Sequence, residues 1–305
     1  MRPRAALFDI HGLFLRDYRG EVWVGTLLRL MGGLGFTPEA VRVALSRMVS
    51  HGWLANRRIG RKSYYALTER TRRRLDEAAA RIFTPDDPTW DGRWRMLTYS
   101  VPEGRRADRD RLRRELTWLG FGPLSSSTWI TPAPLFERAR EVLEAQGLKE
   151  YVALFTAEHH GPGADRRLAE KCWDLEAING RYGQFIAGVR PRLVAARQRR
   201  PPVPDNACFS TQVRLVHEFR KFLFIDPGLP APLLPRDWRG HEARRLFREY
   251  FELLAPGSTR FFLAAFAAAP DRPRDQAALV ATLRGRLGRA ARPLALRTSL
   301  QGVGR

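Results

Sequence analysis

The sequence predicts a multidomain α+β protein: an N-terminal winged helix-turn-helix, a middle ferredoxin-like α+β domain and a mainly helical C-terminal domain. Three observations predict it. Residues 24–67 read as helix, glycine-containing turn, helix, and then two β-rich runs around a basic turn. Residues 92–158 alternate strand-like with helix-like stretches, the pattern of a small α+β sandwich. Beyond them the periodicity becomes helical and the aromatic residues accumulate.

In residues 21–35, Val24, Leu27, Leu28 and Met31 recur at i, i+3, i+4 and i+7, the apolar stripe of a helix that stops at glycines. Thr37 then offers an N-cap, Pro38 fits the first helical position and Glu39 suits the first turn. In the helix that follows, Val41, Ala44, Leu45 and Met48 face inward. Glu39, Arg42, Val43, Ser46, Arg47 and Ser50 are left outside. Such a face of Arg, Ser and one small apolar side chain suits base edges, thymine methyls and phosphates in a major groove.

Strand-like Trp53–Asn56 and Ser63–Leu67 flank a turn at Arg57–Lys62 in which four of six residues are basic. A hairpin placed after a recognition-type helix is a wing, and its cations reach phosphates or the minor groove. The candidate DNA-binding residues are thus Arg42, Ser46 and Arg47 on the helix, with Arg57, Arg58, Arg61, Lys62 and Tyr64 on the wing. Thr68 caps a further helix carrying Arg70, Arg72, Arg73 and Arg74, and residues 1–83 hold 16 basic against 7 acidic side chains.

The whole chain agrees with this bias. Its 305 residues carry 53 Lys and Arg against 32 Asp and Glu, a formal charge of +21, which favours a polyanionic partner, nucleic acid ahead of an anionic membrane or an acidic ligand. Only Lys62, Lys149, Lys171 and Lys221 are lysines, a bias that GC-rich coding would also produce, so the arginine excess is a weaker sign of a polyanionic partner than the charge alone. A hydrophobic share of 44% is enough to build cores, which excludes wholesale disorder. Cys172 and Cys208 cannot form a disulfide framework or a four-thiolate zinc site, and read as two buried small residues. Asp9 interrupts the apolar N-terminal stretch, no secretory cleavage site follows, and no uninterrupted run of some 18 apolar residues occurs. The expectation is a cytoplasmic, nucleoid-associated protein with no membrane partner.

Punctuation sets the expected boundaries. Thr84–Pro88 reads as a linker and the stretch 158–163 as a second break. The expected domains are 1–86 for DNA binding, 90–162 for dimerisation or sensing, and 163–268 for effector binding or dimerisation. A poorly ordered basic tail spans 269–305, where Leu279, Val280, Leu283 and Leu287 could form one short helix. Within the middle part the expected elements are strands at 93–101, 127–131 and 152–156 and helices at 108–119 and 135–146, an order that fits a ferredoxin-like unit. The last part predicts helices over 168–189, 211–225 and 240–254, with Arg199–Pro204 as a hinge between the first two.

The strings AVRVALSRMVSHGWL, RRIGRKSYYALTERTRRRL, WDGRWRMLTYSVPEGRRADRDRLRRELTWLGFGPLSSSTWITP and LVHEFRKFLFIDPGLPAPLLPRDW, followed by ARRLF, closely resemble the PaaX-type repressors of phenylacetic acid catabolism. The resemblance covers residues 5–255 in order. It implies a dimeric repressor on operator DNA, with a middle domain similar to the small CRISPR-associated nuclease, released by an aryl-acetyl-CoA thioester such as phenylacetyl-CoA. On that reading Arg214, His217, Arg220 and Lys221 could receive the phosphates of an acyl-CoA, beside an aromatic pocket that includes Trp238. A solvated basic face is the competing reading of the same cations.

Catalysis finds no support. The six histidines are scattered, no His-Glu-x-x-His, Cys-x-x-Cys, phosphate-loop or Gly-x-Ser-x-Gly pattern occurs, and no metal or cofactor is expected. Where the related nuclease fold carries a metal-binding Asp after its first strand, this chain has Ser100, a poor ligand for a hard cation. The alternatives are an architectural DNA-binding protein that answers to no effector and a metal-dependent nuclease using the middle domain.

Overall fold

The computed structural model describes residues 1–18, 20–83, 89–161 and 164–268, together with positions 279, 281 and 283. The expected linker at Thr84–Pro88 and nearly all of the expected tail lie outside the described residues. Of the short helix expected there, Leu279 and Leu283 are helical and buried. The chain is α+β: a helix-and-strand region, a central small sheet and a mostly helical remainder. It divides into two compact units, each built from separate stretches of sequence.

The first unit takes Met1–Glu77, Val194–His217 and the residues from Arg248 onward. It opens with α1 (Pro3–Ile10), which runs into a π-helical turn at His11–Leu15, a region whose sequence predicts no element. Then come β1 (Val22–Trp23), α2 (Val24–Gly32), α3 (Pro38–Ser50), β2 (Leu54–Ile59), β3 (Lys62–Leu67) and the first turns of α4 (Glu69–Phe83). The strands form an antiparallel sheet in the order β1-β3-β2. In α2 the buried stripe is Thr26, Leu27, Leu30 and Met31, with Val24 and Leu28 only half-buried, so the helix is rotated from the expected face.

The second unit takes Ala78–Leu193 and Glu218–Phe247. Its sheet is made by β4 (Trp94–Tyr99), β5 (Gly122–Pro123), β6 (Thr128–Thr131) and β7 (Val152–Ala157), all antiparallel in the order β5-β6-β4-β7. Strand β5, too short and glycine-bearing to show periodicity, was not expected. Helices α5 (Arg106–Leu119) and α6 (Phe136–Ala145) lie between the strands in sequence. Leu97, Tyr99 and Trp129 from the sheet share one core with Leu112, Leu116, Ala139 and Leu143 from these helices. At the end of α5, Gly120 takes φ 93, a left-handed cap open to glycine at little cost.

The helical part is α7 (Asp165–Cys172), α8 (Leu175–Gln198), α9 (Asp205–Phe219), a 3-10 turn at Arg220–Phe224 and α10 (Gly240–Ala267). The single helix expected over 168–189 is two helices. Asp174 breaks the run because its carboxylate accepts the Ala177 N–H at 3.0 Å and starts α8 afresh. Helix α9 begins six residues before the expected start, and α10 extends through Pro256 to Ala267. Cys172 and Cys208 are both free and buried, and burial raises both thiols' pKa values. Among the described residues no helix is long and apolar enough to cross a membrane.

Candidate nucleic-acid interface and ligand cavity

Helix α3 starts where the chain's own chemistry places it. The Thr37 hydroxyl accepts the Ala40 N–H at 3.3 Å and Pro38 occupies the first turn. Val41, Leu45 and Met48 are fully buried and Ala44 nearly so, which anchors one face in the core. The opposite face leaves Arg42, Val43, Ser46, Arg47 and Ser50 exposed. Val43, more than half exposed, is one of the few large apolar side chains left in solvent. Arg42 lies 3.9 Å from Glu39, close enough to steer its guanidinium while solvent still reaches it.

The basic hairpin is longer and its turn tighter than the sequence predicts. Pairing runs from Leu54 with Leu67 to Ile59 with Lys62, leaving Gly60 and Arg61 as a two-residue turn with Gly60 at φ 57. Arg57 and Arg58 therefore sit in β2 and point to opposite faces. Arg57 forks the Glu21 carboxylate at 2.8 and 2.5 Å, which raises its pKa, and Arg58 donates to the Gly60 carbonyl at 3.1 Å. Arg61 and Lys62 stand at the tip. Tyr64 is buried, pairing with Arg57 on one side and Trp23 on the other. The arginine run on α4 also divides: Arg72 is buried and donates to the carbonyls of Arg16 and Tyr18 at 2.5 and 3.1 Å, while Arg73 remains exposed.

Of the five candidate ligand residues, Arg214 and His217 belong to the first unit and Arg220, Lys221 and Trp238 to the second. Arg214 donates to the Leu34 carbonyl at 3.1 Å and His217 meets the buried Asp9 carboxylate at 2.8 Å, both inside the first unit. Lys221 pairs with Glu218 at 3.0 Å, and Arg220 does not line the cavity described next. Only Trp238 lines it. The cavity lies within the second unit, with a volume of about 500 Å³. Its aromatic wall is Tyr182, Phe219, Phe222 and Trp238, and Arg81 and Arg244 supply positive charge. The helix-forming periodicity of α8, α9 and α10 gave no sign that these rings meet, Arg81 carries no signal in the sequence, and Arg244 stands out only as part of the string ARRLF.

The Tyr182 hydroxyl donates to Asp226, whose other oxygen accepts the Gly228 N–H at 2.8 Å. Burial, reinforced by the Asp226 charge, raises the Tyr182 pKa and keeps this hydroxyl protonated. Arg81 donates to the main-chain oxygens of Trp118 and Asp226 at 2.6 and 2.9 Å, and Arg244 to that of Arg81 at 2.9 Å. Ser100, the residue that stands where a nuclease would need a carboxylate, is exposed just beyond β4, and no cluster of metal-binding side chains occurs among the described residues.

Models described as PaaX-like protein, PaaX protein central Cas2-like domain and PaaX-like protein C-terminal domain match residues 2–71, 87–169 and 173–264. The transcriptional repressor PaaX of Escherichia coli strain K12 is 33% identical over 257 residues, covering 83% of this chain and 80% of that protein. Uncharacterized protein Rv0674 from Mycobacterium tuberculosis shares the fold at 23% identity and a TM-score of 0.54, over 85% of this chain and 98% of its own. The chain thus belongs to the PaaX family of transcriptional repressors, DNA-binding regulators and not enzymes.

Proposed function

We propose that this chain represses transcription by gripping operator DNA with a winged helix made from α2, α3 and the β2–β3 hairpin. The observation that carries the reading is the outer face of α3, where Arg42, Ser46 and Arg47 stand exposed on a helix whose opposite face is locked into the core. These three residues read base edges in the major groove, and Arg58, Arg61 and Lys62 hold phosphate beside it. Arg57 and Tyr64 act from behind, because the Glu21 pair and the buried ring brace the strand that carries Arg58.

The β5-β6-β4-β7 sheet with two intervening helices supports a ferredoxin-like reading of the middle domain. A homodimer would present two winged helices to two half-sites of one operator. Membership in the family supports an aryl-acetyl-CoA thioester, such as phenylacetyl-CoA, as the effector that releases DNA, and genes of phenylacetic acid breakdown as the targets. The ligand acts only through a difference in its affinity for the DNA-competent and DNA-incompetent states.

Fluorescence anisotropy of the purified protein with its own upstream promoter DNA and a scrambled duplex, at about 150 mM salt, tests the reading. Promoter preference abolished by phenylacetyl-CoA is the expected result. Equal affinity for both duplexes would overturn it in favour of an architectural role.

A further inference from the structure

We infer that Ile59 is an apolar wedge that enters the minor groove of operator DNA beside the major-groove turn read by α3, and so adds the shape and deformability of that step to what the protein recognises. This role rests on the repressor reading and adds to it a residue of different chemistry from the cations around it.

A single exposed isoleucine is ordinary on a protein surface, but the surroundings of this one are not. Ile59 is the last residue of β2, 48% exposed, and pairs with Lys62 across the two-residue turn of Gly60 and Arg61. From Arg57 to Lys62 it is the one residue that is neither cationic nor glycine. Arg58, Gly60 and Arg61 are exposed with it, and Lys62 is half-buried. Strand alternation puts Ile59 on the same face as Arg57 and its partner Lys62, and sends Arg58 to the other face. The bond from Arg58 to the Gly60 carbonyl holds that guanidinium at the turn. Cations therefore stand on both faces of a hairpin whose tip carries a branched apolar side chain.

These dimensions fit the minor groove of a duplex. The groove is about 6 Å wide between its two phosphate rows, and paired strands already lie about 4.8 Å apart. A β-ribbon is thus too broad to lie in the groove with its side chains, but its tip can enter. Gly60, at φ 57 and with nothing near its missing side chain, keeps that tip slim. The cations on the two faces then meet the two phosphate rows, and Ile59 is left facing the floor between them. An isoleucine gains nothing from phosphate. It gains from base edges and sugar carbons, and when it parts a base step it kinks the duplex. The cost of parting depends on the step, pyrimidine–purine steps yielding most readily, so the wedge selects sequence at positions that α3 does not touch.

Ile59 is also β-branched, which suits the end of a strand whatever it meets. Two substitutions separate these roles. Ile59→Thr keeps the branching and removes the apolar reach, whereas Ile59→Leu keeps the reach and removes the branching. The test uses the full chain on its own upstream promoter DNA and a scrambled duplex. Anisotropy is measured across a salt series, hydroxyl-radical footprinting reports on sugars lining the minor groove, and energy transfer between dyes at the duplex ends reports bending. Ile59→Thr should weaken promoter binding about fivefold or more. The slope of log affinity against log salt should stay as it was, because no phosphate contact is lost. The minor-groove protection beside the helix-read site and the bend should both diminish, and Ile59→Leu should stay close to the unsubstituted protein. Unchanged affinity or an intact footprint in Ile59→Thr, or Ile59→Leu failing as badly, would overturn the wedge. So would a salt slope that falls with the affinity, since the loss would then belong to displaced cations. Equal affinity of the unsubstituted protein for promoter and scrambled DNA would instead remove the repressor reading, and the same two substitutions on either duplex would still decide the wedge.

Discussion

The Arg214 guanidinium donates to the main-chain oxygen of Leu34 at 3.1 Å, so a side chain on α9 holds the turn between α2 and α3. The two residues are 180 positions apart, and the bond ties the presentation of α3 to a helix from the far end of the sequence. Arg214→Ala should lower stability by about 1 kcal/mol, the modest value reflecting an exposed side chain. It should also weaken binding to promoter and scrambled DNA alike. Thermal melting together with anisotropy checks this; a change confined to promoter DNA would assign Arg214 to base reading instead.

His217 meets Asp9, whose carboxylate is almost wholly inaccessible, at 2.8 Å. Replacing His217 with Ala takes a donor from a buried anion, at a cost of about 2 kcal/mol. Combining it with Asp9→Asn should recover part of the loss, because a neutral amide is cheaper to bury than a carboxylate. A double-mutant cycle by urea unfolding measures the coupling, and additive losses would show that the pair contributes nothing.

His11 is fully buried, and burial lowers its pKa from 6.5 to about 4. Its Nδ1–H donates to the Leu7 carbonyl at 2.7 Å. The unfolded chain takes up a proton below about pH 6.5 that the folded chain refuses until about pH 4. The contribution is therefore present above pH 6.5 and is lost as the pH falls toward 4, by about 3 kcal/mol in all. His11→Gln should flatten the stability profile in that window. A profile that keeps its slope without His11 would place the proton elsewhere.

Arg61 and Lys62 at the hairpin tip should behave differently from Arg42 on α3. Each tip cation changed to Ala should weaken all duplexes and reduce the slope of log affinity against log salt by about 1. Arg42→Ala should cost about 1–3 kcal/mol on the promoter and little on scrambled DNA. Equal effects of both kinds of change would end the division between reading and gripping.

The buried face of α3 was legible from spacing alone, because Val41, Ala44, Leu45 and Met48 repeat with the helical period and an apolar residue on that period has one place to go. The cap at Thr37 was legible for the same local reason. By contrast α2 turned, because residues flanked by glycines can satisfy more than one apolar stripe, and Leu30 is buried in place of Leu28. The helix expected over 168–189 failed at Asp174, where one side-chain oxygen competes with the helical ladder.

Local chemistry in the sequence determined most of the helices and strands, the exposed basic face of α3 and the cationic hairpin, since period, capping residues and charge act over a few positions. The tertiary structure decided the partners. It gave Arg57 to Glu21, Arg72 to two carbonyls, and Arg214 and His217 to Leu34 and Asp9, and it placed Trp238 with Tyr182 and Phe222 around one cavity. The physical reason is that an arginine or an aromatic ring satisfies the same local pattern with many partners. The choice among them is made by burial and hydrogen bonding between segments up to 208 residues apart.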